Sequence, residues 1–213
     1  MNKKLNNLLI VIAIIGGIIC GISRMIDQNI YGALICFAII PVMLAPSLLK
    51  QLFHIEVTMQ MATIYLIFVF FAHFLGSILD LYHMVPGYDK IMHFLSGMLS
   101  AFVGFIILVK MKQYKKSSLW YHIIFIIAIT LSIASLWEFY EFICDHLFGK
   151  DAQNVLTTGV DDTMLDMIMA FLASIIVSIG YYIEVAKHKG TIITGFIKEV
   201  GEEHANRRRI KRK

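Results

Sequence analysis

Six apolar stretches, each about as long as a bilayer's hydrocarbon core is thick, dominate the sequence. They cover residues 8–23, 30–49, 57–79, 91–109, 119–143 and 164–186. A helix rising about 1.5 Å per residue needs roughly 20 such residues to cross about 30 Å of hydrocarbon. A backbone crossing lipid must satisfy its own hydrogen bonds, and a helix does so within one segment. Hydrophobic residues make up 58% of the 213 positions, charged ones only 16%, and the mean hydropathy is +0.74. A soluble globular domain is far less apolar. The expected fold is all-α: a polytopic membrane protein with a six-transmembrane-helix bundle over residues 1–186 and a basic tail over 187–213. The short connections leave no room for a separate soluble domain.

The first stretch follows Lys3 and Lys4, as the core of a signal peptide would, but no small-x-small cleavage pattern comes after it. Cys20 is preceded by Ile18-Ile19, without the small residue that a lipoprotein cleavage site needs. The segment therefore reads as a retained first helix. Cys20, Cys36 and Cys144 are isolated, which argues against a disulfide framework and for small packed residues.

Lys and Arg gather in the loops that face the cytoplasm. With the N-terminus inside, sixteen of the nineteen fall on the inner side, and only Arg24, Lys90 and Lys150 on the outer. The expected orientation is N-in, C-in. It places the acids: Asp80, Asp89, Glu138, Glu141, Asp145, Asp161, Asp162 and Asp166 all come to the outer ends of their helices, with His83, His93 and His146. Carboxylates at hydrocarbon depth are costly, and where they occur they mark a functional interior.

Spacing brings these groups together. Glu138, Glu141 and Asp145 lie within a wedge of about 60° on one helix. Asp89 and His93 are four apart and share a face, as do Asp162 and Asp166. Ser96, Gly97 and Ser100 follow the first pair, and Ala170, Ala173 and Ser174 the second. Small residues let helices approach closely in lipid.

Oxygen-rich donors with an imidazole suit a divalent metal such as Mg²⁺, Mn²⁺, Zn²⁺ or non-haem iron. The expected ligands are His93, Glu138, Glu141, Asp162 and Asp166, with Asp89 or Asp145 as general base. The plainer alternative is a hydrogen-bonded network in which some acids keep their protons. Glu-x-x-Glu alone is weak evidence, because ferritin-like di-iron bundles pair it with Glu-x-x-His, which is absent here. His73 reads as a packed histidine, Asp80 and His83 as interfacial polar residues, and His146 as an outer base. His54 and His122, near the inner interface, carry no special expectation. The connection over 148–161 reads as a connector long enough to cover an acidic cavity.

The chain ends in Arg207-Arg208-Arg209-Ile210-Lys211-Arg212-Lys213, a basic run expected to meet anionic lipid headgroups. Membrane lipids are thus the expected partners, and nucleic acid is not. Ile192, Ile193, Phe196, Ile197 and Val200 suit a short amphipathic helix on the inner surface.

The stretch Tyr88-Asp89-Lys90-Ile91-Met92-His93-Phe94-Leu95-Ser96-Gly97 resembles the signature of the YjdF-type family of bacterial inner-membrane proteins. Trp137-Glu138-Phe139-Tyr140-Glu141 and Asp162-Thr163-Met164-Leu165-Asp166 continue the likeness over the third to sixth helices. The resemblance implies a bacterial plasma-membrane location and supports the site residues; that family has no settled activity. A looser similarity links the chain to VanZ-like proteins, which carry Asp-Lys-x-x-His-Phe and are linked to reduced sensitivity to glycopeptide antibiotics. Those proteins have Glu-x-x-Gln where this chain has Glu138-x-x-Glu141.

The leading expectation is a metal-dependent membrane hydrolase or transferase acting on a lipid or lipid-linked envelope substrate at the outer leaflet. One alternative is a cation or proton transporter, which should carry polar groups across the midplane. The stretches 105–109, 123–129 and 175–179 are almost purely apolar and argue against it. The other is a non-catalytic envelope accessory protein. Reporter fusions check the orientation: a reporter active only in the cytoplasm should work after Lys112 and fail after Lys150, and the reverse pattern overturns it.

Overall fold

The computed structural model describes residues 3–53, 57–187 and 192–210, without the side chains of Phe53 and of residues 202–210. His54 and the bases of the terminal run therefore lie outside the described side chains. Six helices are long and apolar enough to cross a membrane, and no strand occurs among the described residues. The chain divides into two compact units, residues 1–92 and 93–213.

The first unit holds α1 (Lys3–Ile26), α2 (Ile30–Phe53), α3 (Met59–Val69) with a π-helical continuation (Phe70–Ile78), the single turn α4 (Leu81–Met84) and the start of α5 (Tyr88–Lys110). Helices α1 and α2 pack closely because α1 carries glycines on the shared face. A Cβ on Gly17 would stand 2.4 Å from Ile39 Cγ2 and 2.9 Å from the Cys36 carbonyl oxygen. Asn29 Oδ1 accepts from the Gly32 amide at 2.9 Å and caps the first turn of α2. The core gathers Ala13, Cys36, Ile39, Met43, Leu66, Val69, Phe74 and Ile78. His73 lies in the π segment with Nε2 2.9 Å from the Ile35 carbonyl, so it is packed and bonded within this unit. Asp80 and His83 pair with each other at an exposed helix end.

The second unit holds the rest of α5, then α6 (Leu119–Phe148), the single turn α7 (Val155–Thr158), α8 (Asp161–Ala186) and α9 (Ile193–Ile210). Ser118 caps α6 by accepting from the Tyr121 amide, and Gly149 ends it at a φ of 60°, a left-handed cap that favours glycine. Helices α5 and α8 run parallel and touch at Gly97, where an added Cβ would meet Ala170 Cα at 2.6 Å. Helix α6 runs antiparallel to both. Ile126 Cα lies 3.3 Å from the Cβ position of Gly104, and His122 Nδ1 lies 2.8 Å from the Tyr181 hydroxyl.

On α6 the buried residues His122, Ile126, Thr130, Ala134 and Glu138 recur every fourth position and form one stripe. In the inner half of α6 this stripe sets His122 and Thr130 on either side of the apolar stretch 123–129. The unit's core brings Phe105, Leu108, Ile126, Val177 and Tyr181 together with Ile193 and Ile197 of α9. Helix α9 thus packs its apolar face on protein, where a helix lying on the lipid surface was expected. Glu184 holds its start, accepting from the amides of Ile192, Ile193 and Thr194 and from the Thr194 hydroxyl.

The contact at Gly97 is with backbone, which no rotamer change can move aside. Replacing Gly97 by Val should lower stability by roughly 1–3 kcal/mol. Replacing Gly180, whose nearest neighbour is the flexible tip of Ile193 at 3.3 Å, by Ala should cost much less. Thermal unfolding in detergent checks this, and equal midpoints for wild type and the Gly97 variant would contradict the packing.

Candidate cation site

Both Gly97 and Ala170 lie one helical turn beyond an ionisable residue, His93 on α5 and Asp166 on α8. Because these helices are parallel and in near contact, the same offset on each brings His93 and Asp166 side by side. His93 Nε2 stands 3.8 Å from Asp166 Oδ1. Both residues are buried, and Asp166 is only 1% exposed. Helix α5 is unbroken from Tyr88 to Lys110, so Asp89 is held one turn ahead of His93 by the helix itself. One donor atom each from Asp89, His93 and Asp166 lies within 4.8 Å of the others. Asp89 is half-buried, and Lys90 Nζ donates to its Oδ2 at 3.0 Å.

Glu138 belongs to the same layer by helix register. Twelve residues separate Ile126 from Glu138, and twelve back from Gly104 is Met92, next to His93. Starting from the His122–Tyr181 pair, sixteen residues lead to Glu138 on α6 and to Leu165, next to Asp166, on α8. Both counts cover equal rises on antiparallel helices at about 1.5 Å per residue. Glu138 is 4% exposed and closes the buried stripe of α6. Its Oε1 is buried without a hydrogen-bond partner among the described residues. Its Oε2 accepts from Gln153 Nε2 at 3.2 Å, and the same nitrogen reaches the Glu138 carbonyl and Thr163 Oγ1.

The remaining acids serve other partners. Asp145 anchors the α6–α8 connection: Oδ1 accepts from the Ala152 amide at 2.7 Å and Oδ2 from the Gln153 amide at 3.1 Å. Asp162 Oδ2 accepts from Asn154 Nδ2 at 2.7 Å, and Glu141 Oε1 from the Trp137 indole at 2.8 Å. His146 turns Nδ1 to the Phe142 carbonyl of its own helix. The described cluster thus draws on Asp89, His93 and Asp166, with Glu138 at their level; Asp145 and Asp162 bond to the α6–α8 connection, and Glu141 to Trp137 on its own helix. Gln153, Asn154 and Thr163 carry no motif and were not expected to take part. Their only sequence signal is a polar loop between two acidic helix ends. The surface groove lined by Trp120, Ile127, Ile175 and Tyr182 lies at the other end of α6 and α8.

Two carboxylates and an imidazole within one ligand sphere, walled by apolar helices, can hold a divalent cation or share a proton. A family model described as "Predicted membrane protein (DUF2238)" matches residues 5–187, most of the chain. The chain belongs to the DUF2238 membrane-protein family. No curated protein and no solved structure matches it. For this DUF2238 chain, the multi-pass membrane character follows from the family and the six spans together, and the site has to speak for its own chemistry.

Proposed function

We propose that this DUF2238 protein binds a divalent cation through Asp89, His93 and Asp166, and uses it as a hydrolase or transferase on a lipid or lipid-linked envelope substrate. The observation that carries the reading is the convergence of three donor atoms within 4.8 Å, two of them from buried residues of different helices. Carboxylates in a membrane interior are costly, and a cation held between them, beside the Lys90 ammonium on Asp89, would offset that cost. A bound Mn²⁺, Mg²⁺, Zn²⁺ or Fe²⁺ would polarise a substrate oxygen or lower the pKa of a bound water.

The chain's own residues divide the remaining work. His93 and Asp166 give a buried, fixed pair of donors. Asp89, less buried, is the group placed to take a proton from an approaching water or hydroxyl. The positive-inside bias puts this end of the helices at the outer leaflet, where lipid-linked precursors present their headgroups. The Asp89-Lys90-x-x-His93-Phe94 likeness to YjdF-type and VanZ-like proteins supports an envelope setting.

Protein purified without chelator should carry about one divalent ion per chain, measured by elemental analysis. Asp166→Asn and His93→Ala should each lose it while still inserting into membranes. Equal metal content in all three proteins would overturn the reading.

One observation favours a second reading, cation or proton transport. Thr130 Oγ1 and Ser178 Oγ are buried mid-span without hydrogen-bond partners among the described residues, and beyond them lies the His122–Tyr181 pair. Against it, α8 carries no polar side chain from Met167 to Ala173, a rise of about 12 Å between Asp166 and Ser174. Liposomes holding the protein should therefore show no Mn²⁺ or proton flux above empty vesicles. A flux abolished by Thr130→Val would make transport the better account.

A further inference from the structure

We infer that Gln153 is a positioning residue that aims Glu138 into the Asp89–His93–Asp166 site, making Glu138 its fourth donor and third oxygen ligand. The inference rests on the cation reading above and adds a residue that no motif in the chain marks.

Three observations carry it. First, Glu138 is buried on the inward stripe of α6, level with His93 and Asp166, and its Oε1 lacks a hydrogen-bond partner among the described residues. An unsatisfied buried carboxylate oxygen is expensive, more so where no water reaches it, and a bound cation removes that cost. Second, the other oxygen is engaged. Gln153 Nε2 donates to Oε2 at 3.2 Å, which fixes the carboxylate plane and leaves the lone pairs of Oε1 open. Third, Gln153 is itself held. It is 8% exposed, its amide N–H donates to Asp145, and its side chain reaches Thr163, three residues before Asp166 on α8. The amide is thus tied both to the helix that bears Glu138 and to the helix that bears Asp166.

The chemistry of the residue fits the task. A lysine or arginine in this place would neutralise Glu138 and compete with the cation. A glutamine donates a hydrogen bond without bringing charge, so it orients the carboxylate and leaves its negative charge for the ion. The Asp145 carboxylate, expected from sequence to be a base, acts one step further out by holding the backbone that carries Gln153.

A double-mutant cycle on Mn²⁺ affinity tests the inference in the full-length protein in detergent. Glu138→Gln and Gln153→Leu should each weaken binding about 10–100-fold, the range expected when a ligand or the group orienting it is lost. The double variant should be no weaker than Glu138→Gln alone, because Gln153 acts only through Glu138. Gln153→Leu keeps the side chain's bulk, and Gln153→Ala provides a second variant should the first misfold. Both Gln153 variants should also shift the visible absorption of bound Co²⁺, since the ion's coordination changes along with its occupancy. Additive losses, an unchanged Co²⁺ spectrum, or full Mn²⁺ affinity in Glu138→Gln would overturn the inference and leave the cation reading standing. Wild-type protein that takes up no Mn²⁺ would instead sink the cation reading itself.

Discussion

Gly97 has no Cβ, and the second unit leaves no room for one, with Ala170 Cα 2.6 Å from where it would be. That near-contact of α5 and α8 is the constraint from which the rest of the acidic end follows. In lipid, helices gain little from hiding apolar side chains from one another, because the surrounding tails are equally apolar. Close packing of small residues is what holds them, and it fixes their axial register. One turn earlier on each helix, the same register sets His93 against Asp166. The closeness of these two groups is therefore a product of backbone packing, and their mutual attraction has only to refine it.

Such an arrangement puts charge where charge is dear. Asp166 and Glu138 are nearly inaccessible, and both sit in a layer walled by three apolar helices. The chain meets part of the cost with neutral donors: Gln153 on Glu138, Asn154 on Asp162, the Trp137 indole on Glu141. Neutral donors orient carboxylates without cancelling them. Lys90 adds a positive charge on Asp89, and a divalent cation bridging the buried carboxylates would offset the cost that neutral donors leave.

Much of the architecture could be read from residue order, because hydropathy over about 20 residues reports directly on bilayer crossing. The six spans appear where the apolar stretches lie, with ends shifted by a few residues, as at Tyr88–Lys110 against 91–109 and Met59–Ile78 against 57–79. The Asp89–His93 pairing was legible because four-residue spacing within a helix is a local property. The fate of the Glu138, Glu141 and Asp145 stripe was not. A wedge of about 60° spans the boundary between the inward face and the helix flank, so one angular stripe holds three different environments. Gln153 was hidden for another reason. Its position depends on the loop path, set by the Asp145 anchor and by Asn154 at a φ of 51°, and neither is encoded by periodicity. The docking of α9 was concealed likewise: an amphipathic face looks the same in sequence whether it meets lipid or protein.

The central claim is that His93, Asp166 and Glu138 come from three helices to one buried layer and there hold a cation. An anomalous-scattering map of crystals grown with Mn²⁺ addresses it most directly. The account predicts one peak bounded by the Asp89, His93, Asp166 and Glu138 side chains, with oxygen and nitrogen donors about 2.0–2.4 Å from the ion. A map without a peak there, in crystals where these side chains turn away from one another, would contradict it.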